Sequence, residues 1–187
     1  MKLYALCDQD MLESQGVTLE EYIEVAKKHN AEIIQYRNKT ADIAYIKKQL
    51  IKIRKLYEGF LIVNDAYELV EYCDGVHVGQ EDLAAIDEDI YKAVKILRSL
   101  VTEDKILGIS THNEEEVLTA NHLDLNYIGL GAFRTTNTKK DITDTLGEEL
   151  DAIAQKSNHL VAAIGGVQLD DKFEHVTYNV IGSGLLV

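Results

Sequence analysis

The sequence predicts an α/β fold in one domain spanning residues 1–187, a (β/α)8 barrel of the TIM type. Eight short, mostly apolar runs recur along the chain, and amphipathic stretches at helical spacing lie between them. Polar residues and glycines gather just after the apolar runs. Runs that are apolar throughout suit the strands of a parallel sheet covered on both faces. Their alternation with helical stretches implies right-handed crossovers, and about eight strands point to closure. Pattern alone leaves an open doubly wound sheet as the alternative.

The expected strands are residues 3–7, 32–36, 60–63, 75–78, 106–110, 127–130, 160–164 and 179–181. Helices are expected over 18–28, 42–56, 87–100, 113–121 and 147–155. The first opens Thr-Leu-Glu-Glu and places Leu19, Tyr22, Ile23, Val25 and Ala26 on one side; the second spaces Ile43, Ile46, Leu50 and Ile53 for one face. The fourth begins Asn-Glu-Glu-Glu, a cap followed by acidic residues that favour a helix N-terminus. No helix follows the eighth strand in this sequence, so the seam between first and last strands is expected to be bare and to be covered in a homo-oligomer. The chain contains no proline, which leaves glycine as the main punctuation.

Composition excludes several classes of protein. A formal charge of −13 argues against sequence-independent nucleic-acid binding, which needs clustered lysine and arginine. No apolar run is long enough to cross a bilayer. The N-terminus turns acidic at Asp8 and Asp10, too early for a secretory signal, so the cytoplasm is expected. Cys7 and Cys73 form neither a metal pattern nor a disulfide framework, and are expected as small buried residues beside strands.

In such a barrel, chemistry belongs at the C-terminal ends of the strands. After strand two, alternation sends Gln35, Arg37 and Lys39 to one side, a set suited to a diphosphate; a solvated strand end is the plainer reading. Asn64 and Asp65 follow strand three, and Asp82 follows strand four. The two carboxylates can share a magnesium ion or cap the helices behind them. After strand five, Ser110 is a ligand contact or an N-cap, and His112 has no evident carboxylate partner, so no catalytic triad is indicated. The long segment after strand six carries Arg134, Thr136, Thr138 and Lys139, a composition suited to phosphate. Strands seven and eight end in Gly165-Gly166 and Gly182-Ser183-Gly184, where backbone amides can approach an anion or the chain simply turns tightly.

The strings QYRNK, VNDAYEL, DGVHVGQEDL, ILGISTHNEEEV, YIGLGAFRTTNTKKD, AAIGGV and VIGSG run in order over nearly the whole chain, which resembles the thiamine phosphate synthase family. The resemblance implies a transferase that joins 4-amino-5-hydroxymethyl-2-methylpyrimidine diphosphate to thiazole phosphate. Thiamine phosphate forms and pyrophosphate leaves. It also implies that Gln35, Arg37, Lys39, Asn64 and Lys139 hold the pyrimidine diphosphate, Asp65 and Asp82 hold Mg2+, and Ser110 contacts the pyrimidine. Thr136, Thr138 and the amides near Gly166, Gly182 and Ser183 would hold the thiazole phosphate. Arg37, Lys39, Ser110 and Lys139 are the residues expected to act in catalysis.

Three features depart from the family pattern. Ala-Phe-Arg-Thr stands where a proline-containing loop is usual, adding Arg134 beside the anion site; the stretch from Gly166 to Asn179 is compressed; and the final helix is lacking. A related thiazole tautomerase is the nearest rival, but such relatives tend to lose the basic strand-two set and the aspartates. A non-catalytic protein that senses thiamine intermediates is the rival of a different class.

Overall fold

The computed structural model describes residues 1–135 and 145–186. Its strands are β1 (Lys2–Asp8), β2 (Ile33–Arg37), β3 (Phe60–Asn64), β4 (Gly75–Val78), β5 (Ile106–Thr111), β6 (Tyr127–Leu130), β7 (Leu160–Ala163) and β8 (Tyr178–Ile181). Each pairs in parallel with its sequence neighbours, and β8 pairs with β1 to close the barrel. All eight expected strands are present, with ends that coincide or shift by one residue.

Period-two alternation divides the side chains into two layers. Tyr4, Ile33, Ile62, Tyr127, Ala162, Tyr178 and Val180 fill the interior. Ala5, Cys7, Ile34, Leu61, Val63, Val76, Leu107, Ile109, Ile128 and Val161 face outward into the larger cluster beneath the helices. Both cysteines are free and buried, as expected.

The helices are α1 (Gln9–Gln15), α2 (Leu19–Lys28), α3 (Ile43–Leu56), α4 (Gln80–Ile86), α5 (Ile90–Val101), α6 (Glu114–Ala120) and α7 (Glu149–Ala154). Helix α2 starts with a capping box, Thr18 and Glu21 each satisfying the other's backbone N–H. Asp42, Asp89 and Asn113 cap α3, α5 and α6 with their side-chain oxygens. Helices α1 and α4 were not expected. Each has seven residues, and α1 buries only Met11 and Leu12 and α4 only Leu83, too few apolar positions for a helical period to show. A 3-10 turn, Tyr67–Tyr72, links β3 to β4.

The seam between β8 and β1 is not bare, which corrects the expectation. Leu3, Ala5, Cys7, Asn179 and Ile181 are all buried. The Tyr22 hydroxyl reaches over from α2 to the carbonyls of Leu6 (2.9 Å) and Ile181 (3.3 Å). Leu185, in a 3-10 turn after β8, is buried as well. The segment between β7 and β8 contains no helix and lies against the outside of β8, where the Asn179 amide donates to the carbonyls of Gln168 (3.2 Å) and Asp171 (2.9 Å). The expected homo-oligomer therefore loses the apolar patch that motivated it.

Inside the barrel, space is made for one ring. A Cβ added at Gly108 would lie 2.2 Å from the Tyr127 ring. Gly108→Ala is expected to destabilise the fold by about 1–3 kcal/mol, as overpacking does, read as a lower urea midpoint. An unchanged midpoint would mean that the ring has room to move.

Candidate active site at the strand ends

The C-terminal ends of β2, β3 and β4 bring four of the expected residues into contact. Lys39, just beyond β2, donates to the carboxylate of Asp65 and to that of Asp82, the latter at 3.3 Å. Asp65 sits in the left-handed region, with φ of 59°, which aims its side chain back across the strand end, and Asn64 donates to the same carboxylate. Asp82 lies in the first turn of α4, but its helix has no side-chain cap, so the capping reading fails and the carboxylate faces Lys39 instead. Burial works to lower the Lys39 ammonium; the hydrogen bond and charge of Asp65, aided by Asp82, outweigh it and hold the pKa above its ordinary value. The group stays charged.

Arg37 points to the same end and pairs with the buried carboxylate of Asp8, which also caps α1 through the Met11 amide. Gln35 lies one layer deeper, 4% exposed, and its amide donates to the Asn64 oxygen at 2.7 Å. Alternation along β2 thus places Gln35 and Arg37 on one side, and Lys39, past the strand's end at Arg37, joins them through Asp65 and Asp82.

Ser110, the penultimate residue of β5, faces the interior. It does not cap α6, since Asn113 does, and its hydroxyl lies 3.0 Å from His77 Nε2. The Gln80 amide binds the Ser110 carbonyl at 2.6 Å. His112, contrary to expectation, has a carboxylate partner: its backbone N–H and its Nδ1 meet Glu116 at 2.8 and 2.9 Å, which makes it part of the start of α6.

Gly166, with Gly165, adopts positive φ (66° and 86°), and the two carbonyls accept from Arg134, Gly165 from its backbone N–H and Gly166 from its guanidinium. Arg134 is also clamped by Asp171 at 2.6 and 2.7 Å, so it does not stand as a free charge beside the anion site. Its hydrogen bonds to Asp171 hold that carboxyl below the ordinary range. Gly182 and Ser183 begin the turn after β8. Thr136, Thr138 and Lys139 lie outside the described residues.

Sequence reasoning overlooked Tyr4, Asp8, His77, Gln80 and Tyr127. The signal for His77 was present: a polar residue at an inward position of the apolar run Gly75-Val76-His77-Val78. Tyrosine gives no such contrast, being common in strands.

A concavity of about 920 Å3 opens at the opposite end, lined by Lys2, Glu32, Tyr57 and Phe60 among others. Several of its polar groups are paired locally, Lys2 with Glu32, Lys27 with Glu24 and the Tyr57 hydroxyl with the Ala31 carbonyl. Barrels of this type work at the strand C-termini, where the cations and aspartates converge here.

A parallel barrel with lysine, arginine and paired aspartates at these strand ends has the make-up of a rim-acting enzyme of the (β/α)8 class. A family model described as thiamine monophosphate synthase matches residues 3–182. The thiamine-phosphate synthase of Clostridium botulinum (strain Eklund 17B / Type B) is 34% identical over 170 residues, covering 88% of this chain and 75% of that protein. That of Caldicellulosiruptor bescii is 36% identical over 177 residues, covering 91% and 74%. The solved structure of a thiamine phosphate pyrophosphorylase from Pyrococcus furiosus is similar in fold, with a TM-score of 0.77 at 23% identity over 97% of this chain and 85% of that one. The alpha subunit of tryptophan synthase from Legionella pneumophila shares the fold more distantly, with a TM-score of 0.60 at 11% identity over 98% and 80%. The chain belongs to the thiamine monophosphate synthase family.

Proposed function

We propose that the chain condenses 4-amino-5-hydroxymethyl-2-methylpyrimidine diphosphate with thiazole phosphate to thiamine phosphate and pyrophosphate. The observation that carries this reading is the convergence of Lys39, Asp65 and Asp82 on one point of the rim, beside Arg37 and Asn64. The tautomerase rival gives no reason for such a set.

In this reaction the bond between the pyrimidine methylene carbon and the diphosphate oxygen breaks, and its electron pair leaves on oxygen. The electron-rich ring spreads the positive charge. The thiazole nitrogen then bonds to that carbon with its lone pair and becomes positively charged; it has no proton to lose, so no general base is required. Arg37, Lys39 and Lys139 act catalytically by meeting the charge that grows on the leaving diphosphate, and Asn64 adds a hydrogen bond. Gln35, deeper than these, holds Asn64 and forms the floor. Ser110 contacts the pyrimidine ring. Thr136, Thr138 and the backbone near Gly166, Gly182 and Ser183 bind the thiazole phosphate.

The aspartates fit magnesium. Two carboxylates already turned on one ammonium form the hard-oxygen donor pair that this ion takes along with substrate phosphates. Asp65 and Asp82 would hold it, and when bound it supplies positive charge to the leaving group. We place the reaction in the cytoplasm, on small molecules, without nucleic-acid or membrane partners; no helix among the described residues is long and apolar enough to cross a membrane.

Purified protein given both substrates and magnesium is expected to make thiamine phosphate, to stop with EDTA and to recover with added magnesium. Turnover untouched by EDTA would remove the metal role. Thiazole phosphate binding without product would favour the sensor.

A further inference from the structure

A chain of hydrogen bonds crosses the barrel interior beneath the rim. Asp65 accepts from the Asn64 amide, and the Asn64 oxygen accepts from Gln35 at 2.7 Å. The Gln35 oxygen meets the Tyr4 hydroxyl at 2.8 Å, Tyr4 meets the Tyr127 hydroxyl at 2.8 Å, Tyr127 meets His77 Nδ1 at 2.8 Å, and His77 Nε2 meets the Ser110 hydroxyl at 3.0 Å.

The direction of every proton in this chain follows from its first member. An ionised carboxylate only accepts, so the Asn64 amide nitrogen faces it and the Asn64 oxygen faces Gln35. Gln35 spends an N–H there and turns its oxygen to Tyr4, so Tyr4 donates. Burial and the neighbouring Tyr127 raise the Tyr4 pKa well above its ordinary value; burial raises that of Tyr127 too, so both hydroxyls stay protonated with one hydrogen each. Tyr4, having given its hydrogen to Gln35, accepts from Tyr127, and Tyr127 accepts in turn from His77 Nδ1–H. In the neutral ring Nε2 is then the acceptor, and Ser110 donates to it. Ser110 is partly open to the rim, and what remains to it is lone pairs.

We propose that Asp65, through this relay, fixes Ser110 as an acceptor and so selects a ring that presents an N–H donor, an amino rather than an oxo substituent. Tyr4, Tyr127 and His77 are positioning residues for that choice. The proposal rests on the reading that Ser110 faces the pyrimidine. The interior is shaped to hold the relay. Gly108 makes way for the Tyr127 ring, a Cβ at Gly129 would lie 3.1 Å from His77 Cε1, and the His77 and Tyr127 rings stack at 30° with centroids 5.5 Å apart. An acceptor meeting an oxo group leaves two acceptors facing each other, a mismatch that polar sites reject strongly.

Two measurements test it. Nitrogen-15 NMR of the full-length protein without substrate is expected to show His77 protonated at Nδ1 and bare at Nε2; the opposite tautomer overturns the relay whatever the enzyme does. Calorimetry is then carried out with the 4-amino pyrimidine diphosphate and its 4-oxo counterpart. The wild type is expected to prefer the amino compound by roughly 100-fold or more. Tyr127→Phe cuts the relay, lets the imidazole change tautomer, and is expected to bring the preference to within about tenfold, with thiazole phosphate affinity unchanged. A preference kept intact in Tyr127→Phe overturns the selective role. Failure of the amino compound to bind sinks the functional reading instead, and the NMR result alone then judges the relay.

Discussion

Asp65→Ala is expected to lower kcat by a factor on the order of 10^2–10^3, the size of loss seen when a group aimed at developing charge is removed. The carboxylate stands at the junction of the site. It accepts from Lys39, from Asn64 and from the Gly79 amide (3.3 Å), and it faces the same ammonium as Asp82. Its loss removes half of the pair proposed to hold magnesium and frees Lys39 and Asn64 from their present geometry. The fold is expected to stay intact, because Asp65 lies at the rim outside both apolar clusters. Added magnesium should not rescue the variant, whereas Asp82→Ala, with Asp65 still present, is expected to need more magnesium as well as to lose turnover. Steady-state kinetics over a magnesium titration read both effects. Turnover in Asp65→Ala within tenfold of the wild type would remove this residue from the site.

Arg37→Met is expected to lose both turnover and stability, by two separable routes. Arg37 is one of the cations proposed to meet the diphosphate, and it is also the partner of Asp8, whose side chain is 4% exposed. Removing one member of a buried pair leaves an uncompensated charge, which typically costs about 3–5 kcal/mol. Combining Asp8→Asn with Arg37→Met neutralises the orphan while keeping an oxygen to cap α1, so most of the stability should return. The activity should not return, since the cation is still lacking. Urea unfolding and steady-state kinetics on the two variants separate these outcomes. A double variant no more stable than Arg37→Met would show that the buried charge is not what the arginine offsets.

Legibility from sequence varied with how local each feature is. The strand at 75–78 could be read from four consecutive residues, and the cap at Asn113 from the acidic residues behind it. The sides of Gln35 and Arg37 followed from the period of two, which holds only while the strand persists; β2 ends at Arg37, so the place of Lys39 came from its tertiary contacts. Asp82 shows the limit: at the first turn of a helix, capping and ligation use the same residue type, and only its facing Lys39 decided between them. The partner of His112 was missed for a related reason, since Glu116 sits one helical turn ahead in a run of three glutamates that a linear reading assigns to the helix end alone; the structural role expected of the histidine stands.

By itself the sequence determined the alternation of strands and helices, the apolar strands covered on both faces and the loops that hold polar residues, while closure through the β8–β1 pairing came from the structure. Apolar burial imposes a repeating pattern, and repetition is visible along a line. The pairing of Asp8 with Arg37, the meeting of Asp65 and Asp82 at Lys39, the relay from Tyr4 to Ser110 and the covering of the seam belong to the tertiary structure alone. Lys39 and Asp65 are 26 positions apart, and Tyr4 and Tyr127 are 123 apart. Contacts across a closed barrel depend on strand register and on which side chains fill the interior, and no stretch of neighbouring residues records either.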